Sequence, residues 1–272
     1  MNLTSPSQVK SWCIENGFHP NKVLGQNFLI DQNALKAIVD AGLEGCRVAG
    51  LQGCKVLEIG PGLGVLTEEM LKRGCEVVAI EKDPVLAARL KESLGNPEGL
   101  TVIEGDALDV LSHPSSLIPH PSFDVMISNL PYQAGTRILL DLVKARELKS
   151  MTVLVQTEVA ERLVAQEGSK TRGLAGVWAQ LDYDVRIVRK VAASCFWPRP
   201  EIGSSVVRLD RHDRNLALSD EERRLFHRLT KQAFEHRRKQ LGSIFKDMIQ
   251  STARAEELSN EDWINLVKEL AK

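Results

Sequence analysis

An amide, a proline and an aromatic ring stand together in Ser-Asn-Leu-Pro-Tyr at 128–132, directly after the apolar run FDVMI. The side-chain carbonyl of Asn129 can accept a hydrogen bond from an exocyclic amine. The backbone carbonyl of Leu130 is a second candidate acceptor, because Pro131 prevents a helix from starting there. Tyr132 offers a face on which a flat base can stack. These residue types predict a site that holds a planar aromatic amine, and a plain turn with a buried tyrosine is the alternative.

A glycine-rich segment, VLEIGPGLGVLT at 56–67, places Gly60, Gly62 and Gly64 between an apolar run and a helical pattern. Glycines allow the backbone to approach a ligand closely, and the helix that follows favours an anion at its first turn. A nicotinamide fingerprint, G-x-G-x-x-G, would need its third glycine where Val65 stands. The segment therefore predicts a cofactor loop, with a tight turn that binds nothing as the alternative.

Two carboxylates follow successive apolar runs. Glu81 comes 21 residues after Gly60 and can accept hydrogen bonds from both hydroxyls of a ribose. Asp106, in EGDAL, can accept one from an adenine amine. Either acid alone is typical of a solvated strand end, but both beside a glycine loop indicate an adenosine cofactor. The arrangement resembles the S-adenosylmethionine-binding fold of class I methyltransferases, and a nicotinamide dehydrogenase is the alternative.

Alternating strands and helices must position these residues. Short apolar runs rich in β-branched residues predict strands at 55–59, 76–80, 100–104, 123–127 and 151–155, with helices at 64–73, 84–94 and 136–147. Two later runs, 184–191 and 204–210, are expected to complete the sheet. This alternation predicts an α/β fold, with a parallel sheet covered on both faces. Open sheets of this kind bind ligands at the carboxyl ends of their strands, where the residues above fall.

The pattern changes to helices after residue 211. Ser219 and Glu222 resemble a capping box that opens a long helix, and a final helix is expected at 260–271. We therefore predict a catalytic domain at 1–211 and a small helical domain at 212–272.

The composition is ordinary for a globular protein, with 272 residues, 43% hydrophobic, 26% charged and a net charge of −1. The five cysteines are odd in number and scattered, which argues against a disulfide framework and a zinc site and for a reducing compartment. We find no secretory signal and no apolar window of the ~18 residues that a membrane span needs. A cytoplasmic protein with no metal and no membrane partner is expected. The Pro/Ser-rich stretch at 112–122 is expected to be a surface loop.

Together these residues resemble the ribosomal RNA adenine N6,N6-dimethyltransferase family, and its small-subunit branch in particular. The resemblance begins at KVLGQNFLID (22–31), continues through the glycine loop, EGDAL and SNLPY, and includes QTEVAERLVAQEGSK (156–170), FWPRPEIGSSVVRL (196–209) and FEHRRKQL (234–241). It implies a class I methyltransferase with a seven-stranded sheet, one strand antiparallel, followed by a small helical domain. The implied reaction is S-adenosylmethionine-dependent dimethylation of adenines in small-subunit ribosomal RNA during ribosome assembly. The implied partner is the small ribosomal subunit or its precursor, bound by a monomer.

The resemblance also implies residue roles. Asn27 and Leu29 close over the cofactor, Gly60 with the rest of its loop including Gly62 contacts the methionine part, Glu81 the ribose and Asp106 the adenine, and Asn129 lies beside the methyl donor. The target adenine is engaged by Asn129 and Tyr132, with Phe196 stacked on its other face.

Basic residues concentrate near the C-terminus. Seven cations against Glu235 give seven minus one, a net charge of +6 over 223–239: Arg223, Arg224, Arg228, Lys231, Arg237, Arg238 and Lys239. A second cluster comprises Arg186, Arg189, Lys190, Arg199, Arg208 and Arg211. RNA phosphates need cations, so these clusters predict an RNA-binding surface. A solvated helix face is the alternative, and Arg237 and Arg238 could instead tie the two domains together.

Other functions stay open at this point. A methyltransferase acting on large-subunit RNA or on DNA adenine would share the same catalytic residues. An RNA-binding assembly factor without catalysis would not need Asn129, Glu81 and Asp106 intact.

Overall fold

The computed structural model describes residues 1–44, 46, 53–112, 123–215 and 218–271. Beyond its first residue, the loop expected at 112–122 lies outside these ranges. Nine strands are present in them: β1 Phe28–Leu29, β2 Lys55–Ile59, β3 Glu76–Glu81, β4 Leu100–Glu104, β5 Val125–Asn129, β6 Ser150–Gln156, β7 Tyr183–Val191, β8 Phe196–Trp197 and β9 Ser204–Arg211.

Seven of these strands form one sheet in the order β4-β3-β2-β5-β6-β9-β7. Strand β9 runs antiparallel to both of its neighbours, and the other adjacent strands pair in parallel. The prediction of a seven-stranded sheet with one antiparallel strand is therefore confirmed. The two remaining strands, β1 and β8, pair with each other in a separate antiparallel ribbon.

The helices of the described ranges are α1 Pro6–Glu15, α2 Gln32–Leu43, α3 Val65–Lys72, α4 Pro84–Ser93, α5 Ala107–Ser112, α6 Gly135–Ala145, α7 Thr157–Val164, α8 Leu174–Asp182, α9 Asp220–Glu235, α10 Leu241–Phe245 and α11 Asn260–Leu270. The helices expected after the glycine loop, after Glu81 and after SNLPY are α3, α4 and α6. The predicted capping box opens α9, where the Ser219 hydroxyl accepts from the Glu222 N–H and the Glu222 carboxylate accepts from the Ser219 N–H. Within the described part of the chain, no helix combines the length and the apolar character that crossing a membrane requires.

Two apolar clusters cover the opposite faces of the sheet. One centres on Met126, Met151 and Leu139, and the other on Ile38, Val56 and Met70. Because both faces are covered, the central strands are buried at nearly every position, as in Ser-Met-Thr-Val-Leu-Val-Gln of β6, where every residue but the last is buried.

The sheet opens at its carboxyl edge between β2 and β5, where the strand order reverses. These two strands are in register only at Val56–Val125 and Leu57–Met126. Further on, the Ile59 N–H donates to the Ser128 hydroxyl at 2.9 Å instead of to a strand carbonyl. The strand ends are therefore held apart by a side chain, which leaves a crevice at the position where open α/β sheets bind ligands.

The C-terminal helices have an apolar core of their own, around Phe226, Leu229 and Trp263. Helix α8 contributes Trp178 to the same core, and its indole N–H donates to the Thr230 hydroxyl at 2.9 Å. The C-terminal helices α9 and α11 thus pack on α8, which forms an apolar contact between the sheet and these helices.

The cysteine expectation requires a correction. Cys46 and Cys54 are joined in a disulfide with their Cα atoms 6.2 Å apart. The free thiols are Cys13, Cys75 and Cys195. An odd and scattered set carries no information about which two cysteines the fold brings together, and so the argument against a disulfide framework did not anticipate this single pair.

Candidate active site

The crevice between β2 and β5 gathers most of the predicted site residues. Its walls contain all of the expected cofactor residues, Asn27, Leu29, Gly60, Gly62, Glu81, Asp106 and Asn129, together with Leu130, Pro131 and Tyr132. One wall is an N-terminal segment, residues 24–29, which we call the strap. Segments far apart in the sequence thus meet at one edge of the sheet, as their positions at strand ends predict.

The glycine loop has the conformation that glycine permits, with φ of +68° at Gly60, +59° at Gly62 and +88° at Gly64. The N–H groups of these three residues all have acceptors: the Ile80 carbonyl at 2.9 Å, the Glu81 carboxylate at 3.0 Å and the Pro61 carbonyl at 2.9 Å. A pyrophosphate binds such a loop through free amides. The satisfied amides of this loop argue against a dinucleotide and hence against the dehydrogenase alternative.

Two buried carboxyl groups lie beside the loop. Glu81 accepts from the backbone N–H groups of Gly62 and Asp83, and burial raises its pKa. Glu58, which the sequence did not single out, is 1% exposed and accepts from the Thr67 hydroxyl at 2.6 Å. Burial, reinforced by the nearby charge of Glu81, raises the pKa of Glu58 to about 8. Both groups line the crevice and neither adds positive charge to it, which suits a cationic ligand better than an anionic one.

Asp106 lies at the far end of the crevice beside Lys82. Its Oδ2 accepts from the Lys82 ammonium at 2.7 Å, and its Oδ1 accepts from the Leu108 N–H at 3.0 Å. The hydrogen bond from Lys82 is the main cause that lowers the pKa of Asp106. Because a carboxylate oxygen has two lone pairs, each oxygen keeps acceptor capacity for a ligand amine.

Asn129 ends β5 and presents its side-chain amide to the crevice. Its Nδ2 donates to the backbone carbonyl of Asn27 at 3.2 Å, which leaves Oδ1 as an acceptor. The Leu130 carbonyl accepts no hydrogen bond from the described residues, whereas the Pro131 carbonyl accepts from the Gly135 N–H at 2.7 Å and so starts α6. Asn129 Oδ1 and the Leu130 carbonyl are therefore two acceptors without a described donor, on consecutive residues of the crevice wall.

Tyr132 is half-buried beside these acceptors. Its hydroxyl shares a 2.8 Å hydrogen bond with Ser204, which is fully buried in β9, and burial raises the pKa of the phenol. The strap packs on the same residue, since a Cβ added to Gly25 would lie 3.2 Å from the Tyr132 nitrogen. Tyr132 is thus held at its hydroxyl by Ser204 and packed against the strap at its backbone.

The expectation for Phe196 requires a correction. Its ring is 2% exposed and belongs to the apolar core, and its backbone pairs with Leu29. A base cannot stack on a ring that is covered on all sides. The next residue, Trp197, is half-exposed and stacks on Phe28 with ring centroids 6.5 Å apart.

Arg223 also differs from expectation, because it is 7% exposed and its Nη1 donates to both carboxylate oxygens of Asp182, at 3.0 and 2.8 Å. It therefore has no free surface to offer a phosphate.

Arg237 donates to the Lys170 carbonyl at 2.5 Å and lies 3.6 Å from Glu256. These contacts agree with the alternative that Arg237 ties the two parts of the chain together.

The remaining cations of the C-terminal cluster are exposed: Arg224, Arg228, Lys231, Arg238 and Lys239. Most of the second cluster already has partners within the protein. Arg208 forms ion pairs with Asp210 at 2.7 Å and Glu44 at 3.1 Å, and Arg186 also pairs with Glu44 at 3.1 Å. Lys190 pairs with Glu161 at 3.6 Å, and Arg211 donates a hydrogen bond to the Arg146 carbonyl. The C-terminal cluster is the better candidate for a phosphate-binding surface.

The Glu58→Gln variant is expected to alter the pH dependence of stability. The unfolded carboxyl has an ordinary pKa of 4.5 and the folded one a pKa of about 8, so between these values the folded protein holds an extra proton. Unfolding then releases that proton, and the free energy of unfolding falls as the pH rises through this window. Glutamine removes this contribution. Urea unfolding at about pH 5 and about pH 8.5 should therefore show a smaller loss of stability in the variant.

Glu92→Gln, at an exposed position on α4, is the matched control for this experiment and should follow the wild-type curve. A Glu58→Gln curve that coincides with wild type at both pH values would contradict a buried, protonated carboxyl at position 58.

The chain matches a protein-family model described as ribosomal RNA adenine dimethylase over residues 17–272. It is 44% identical over 208 residues to the ribosomal RNA small subunit methyltransferase A of Deinococcus radiodurans, which covers 76% of this chain and 67% of that protein. It is 35% identical over 289 residues to the protein of the same name from Alkaliphilus oremlandii, covering 99% and 98%.

Two solved structures share the fold. A dimethyladenosine transferase from Plasmodium falciparum superposes with a TM-score of 0.72 at 23% identity, covering 89% of this chain and 97% of that one. The 23S rRNA methyltransferase ErmE superposes with a TM-score of 0.65 at 23% identity, covering 90% and 100%. These structures confirm the predicted class I methyltransferase fold. The family model and the named relatives confirm the predicted enzyme class. With its match running almost the full length of the sequence, the chain belongs to the ribosomal RNA adenine dimethylase family.

Proposed function

We propose that this protein transfers methyl groups from S-adenosylmethionine to the exocyclic N6 amine of adenines in small-subunit ribosomal RNA during ribosome assembly. The observation that carries the proposal is the pair of adjacent acceptors, Asn129 Oδ1 and the Leu130 carbonyl, at one end of the crevice. An unprotonated adenine amine has two N–H groups, which two acceptors match. The names of the relatives support ribosomal RNA of the small subunit as the substrate.

The crevice fits the proposed cofactor. Its glycine-loop amides are satisfied, and neither Glu58 nor Glu81 places positive charge beside a ligand that carries an ammonium and a sulfonium. Glu81 would accept hydrogen bonds from the ribose hydroxyls, and Asp106 would accept one from the adenine amine of the cofactor. Asn27 and Leu29 of the strap would close over the cofactor. When bound, S-adenosylmethionine supplies an electrophilic methyl group.

The protein's own contribution is orientation and electrostatic stabilisation. Asn129 and Leu130 would hold the amine so that its lone pair turns out of conjugation with the ring and towards the methyl group. Tyr132 would stack on the base and stabilise the positive charge that develops on nitrogen. The amine proton becomes acidic as the carbon–nitrogen bond forms and can leave to water, so no basic side chain is required. After the first transfer one N–H remains, which a single acceptor can hold for the second.

The test is labelled methyl transfer to under-methylated small subunits, to naked RNA and to large subunits, followed by nucleoside analysis. We expect dimethyladenosine in the small-subunit sample. Its absence from that sample would contradict the proposal, and selective labelling of large subunits would favour the alternative substrate.

The exposed part of the C-terminal cluster is proposed to contact RNA phosphates. Replacing Arg238 and Lys239 by alanine should weaken binding to small subunits. The slope of log affinity against log salt should fall in magnitude by about 1.4–1.8, since each lost phosphate contact contributes roughly 0.7–0.9. Filter binding from low to high salt measures both quantities.

The control for this pair is Lys36→Ala with Lys91→Ala, at exposed positions on α2 and α4 outside the cluster. If the control and test variants showed the same salt slope, the C-terminal cluster would be an ordinary solvated surface that makes no phosphate contacts.

A further inference from the structure

The orientation of the Asn129 side chain depends on the strap. Its Nδ2 lies 3.2 Å from the Asn27 carbonyl oxygen. A backbone carbonyl only accepts hydrogen bonds, so the nitrogen of the Asn129 amide must face it. The oxygen is then the atom left for the target amine. If the Asn27 carbonyl moved away, the amide would lose the contact that distinguishes its two orientations.

The Asn27 carbonyl is fixed by its neighbours on both sides. Before it, Gln26 uses both ends of its amide, since Nε2 donates to Asp83 Oδ2 at 2.8 Å and Oε1 accepts from the Asn21 N–H at 2.7 Å. After it, Phe28 pairs with Trp197 in the β1–β8 ribbon. Asp83 is itself buried at the start of α4. The strap is thus attached to the catalytic domain at two points, and the Asn27 carbonyl lies between them.

From these contacts we infer that Gln26 is a positioning residue for methyl transfer, which acts through the Asn27 carbonyl on the orientation of Asn129. The inference rests on the proposed function. It also assigns Asp83 a part in the same role, as the acceptor that holds Gln26. The strap then fixes the orientation of the Asn129 amide, which accepts from the target amine, in addition to its proposed place over the cofactor.

The Gln26–Asp83 pair permits a reciprocal exchange. Asp83 Oδ1 caps α4 by accepting from the N–H groups of Val85 and Leu86, while Oδ2 alone receives Gln26. An asparagine at 83 keeps the capping oxygen and turns the other atom into a donor. With Gln26→Glu alone, two carboxylates face each other, and with Asp83→Asn alone, two N–H donors face each other. Together, the two substitutions restore one donor and one acceptor.

The experiment measures dimethyladenosine formation on under-methylated small subunits by the full-length chain at saturating S-adenosylmethionine. Each single variant should lower the turnover rate roughly tenfold, as expected when one hydrogen bond to a charged group is lost. The double variant should recover to within about twofold of wild type, the scatter expected of additive free energies. In an Asn129→Ala background, Gln26→Glu should cause no further loss, because the group it positions is gone. Cofactor affinity and thermal unfolding of each variant are measured alongside.

The outcomes separate this inference from the proposed function. Wild-type protein that forms no dimethyladenosine contradicts the proposed function, whatever the variants do. Active wild type with unaffected single variants overturns the role of Gln26. So does a loss that the double variant fails to rescue, and so does a change confined to cofactor affinity with a normal rate at saturation.

Discussion

Replacing Asn129 by alanine is expected to reduce turnover by about 10²–10³-fold, the loss typical when one preorganised polar partner of a transition state is removed. The substitution deletes one of the two acceptors for the target amine and leaves the Leu130 carbonyl in place. The glycine loop, Glu81 and Asp106 make none of their hydrogen bonds with Asn129, so their geometry should persist. Cofactor affinity should therefore stay within about twofold of wild type.

Single-turnover methyl transfer on small subunits and equilibrium binding of S-adenosylmethionine measure the two effects separately. Asn33→Ala, at an exposed position on α2, is the matched control and should retain wild-type rates. If Asn129→Ala protein kept wild-type turnover, the assignment of the amine acceptor would be wrong. If it lost cofactor binding in proportion to turnover, Asn129 would serve the cofactor rather than the adenine.

The sheet could be predicted because its strands are buried on both faces and so leave continuous apolar runs in the sequence. Helix α8 could not, for a related reason. Its Val177, Trp178 and Leu181 face the C-terminal helices while Ala179 faces the core of the sheet, so the sequence LAGVWAQLD is apolar nearly all round and shows no helical period. The β1–β8 ribbon is two residues long on each side, too short for any period to register.

The location of site residues could be predicted where the strand pattern alone determines it. Glu81, Asp106 and Asn129 follow apolar runs, and parallel strands place such residues at one edge. Glu58 was missed because it lies inside a strand run, where a polar residue gives no sign that it faces the crevice. Ser128 begins the Ser-Asn-Leu-Pro-Tyr segment, but its residue type gives no sign that its hydroxyl replaces a strand hydrogen bond.

Roles that depend on a distant partner could not be predicted from residue type. Phe196 looks like a free aromatic ring until β8 is seen to pair with β1, which places the ring in the core. Arg223 looks like a surface cation until Asp182, 41 residues earlier in the chain, is found beside it. The sequence contains both residues but no indication that they meet.

Replacing Arg223 by methionine is expected to destabilise the protein by about 3–5 kcal/mol, the usual cost of removing one partner from a buried ion pair. The side chains of Arg223 and Asp182 are 9% and 5% exposed, and two hydrogen bonds join them. Without the arginine, the described residues leave Asp182 one ion-pair partner, Arg146, whose Nε lies 3.4 Å away. Its charge would then be incompletely compensated in a buried position, at the junction between α8 and the C-terminal helices.

Urea unfolding measures this loss, with Arg224→Met as the control. Arg224 is the exposed neighbour of Arg223 on α9, and its replacement should change stability by less than about 0.5 kcal/mol. Adding Asp182→Leu to Arg223→Met should recover much of the stability, because an apolar pair no longer buries an unmatched charge. The prediction would be wrong if Arg223→Met kept the wild-type free energy of unfolding and instead reduced the salt dependence of binding to small subunits. That result would mean that Arg223 contacts RNA phosphates.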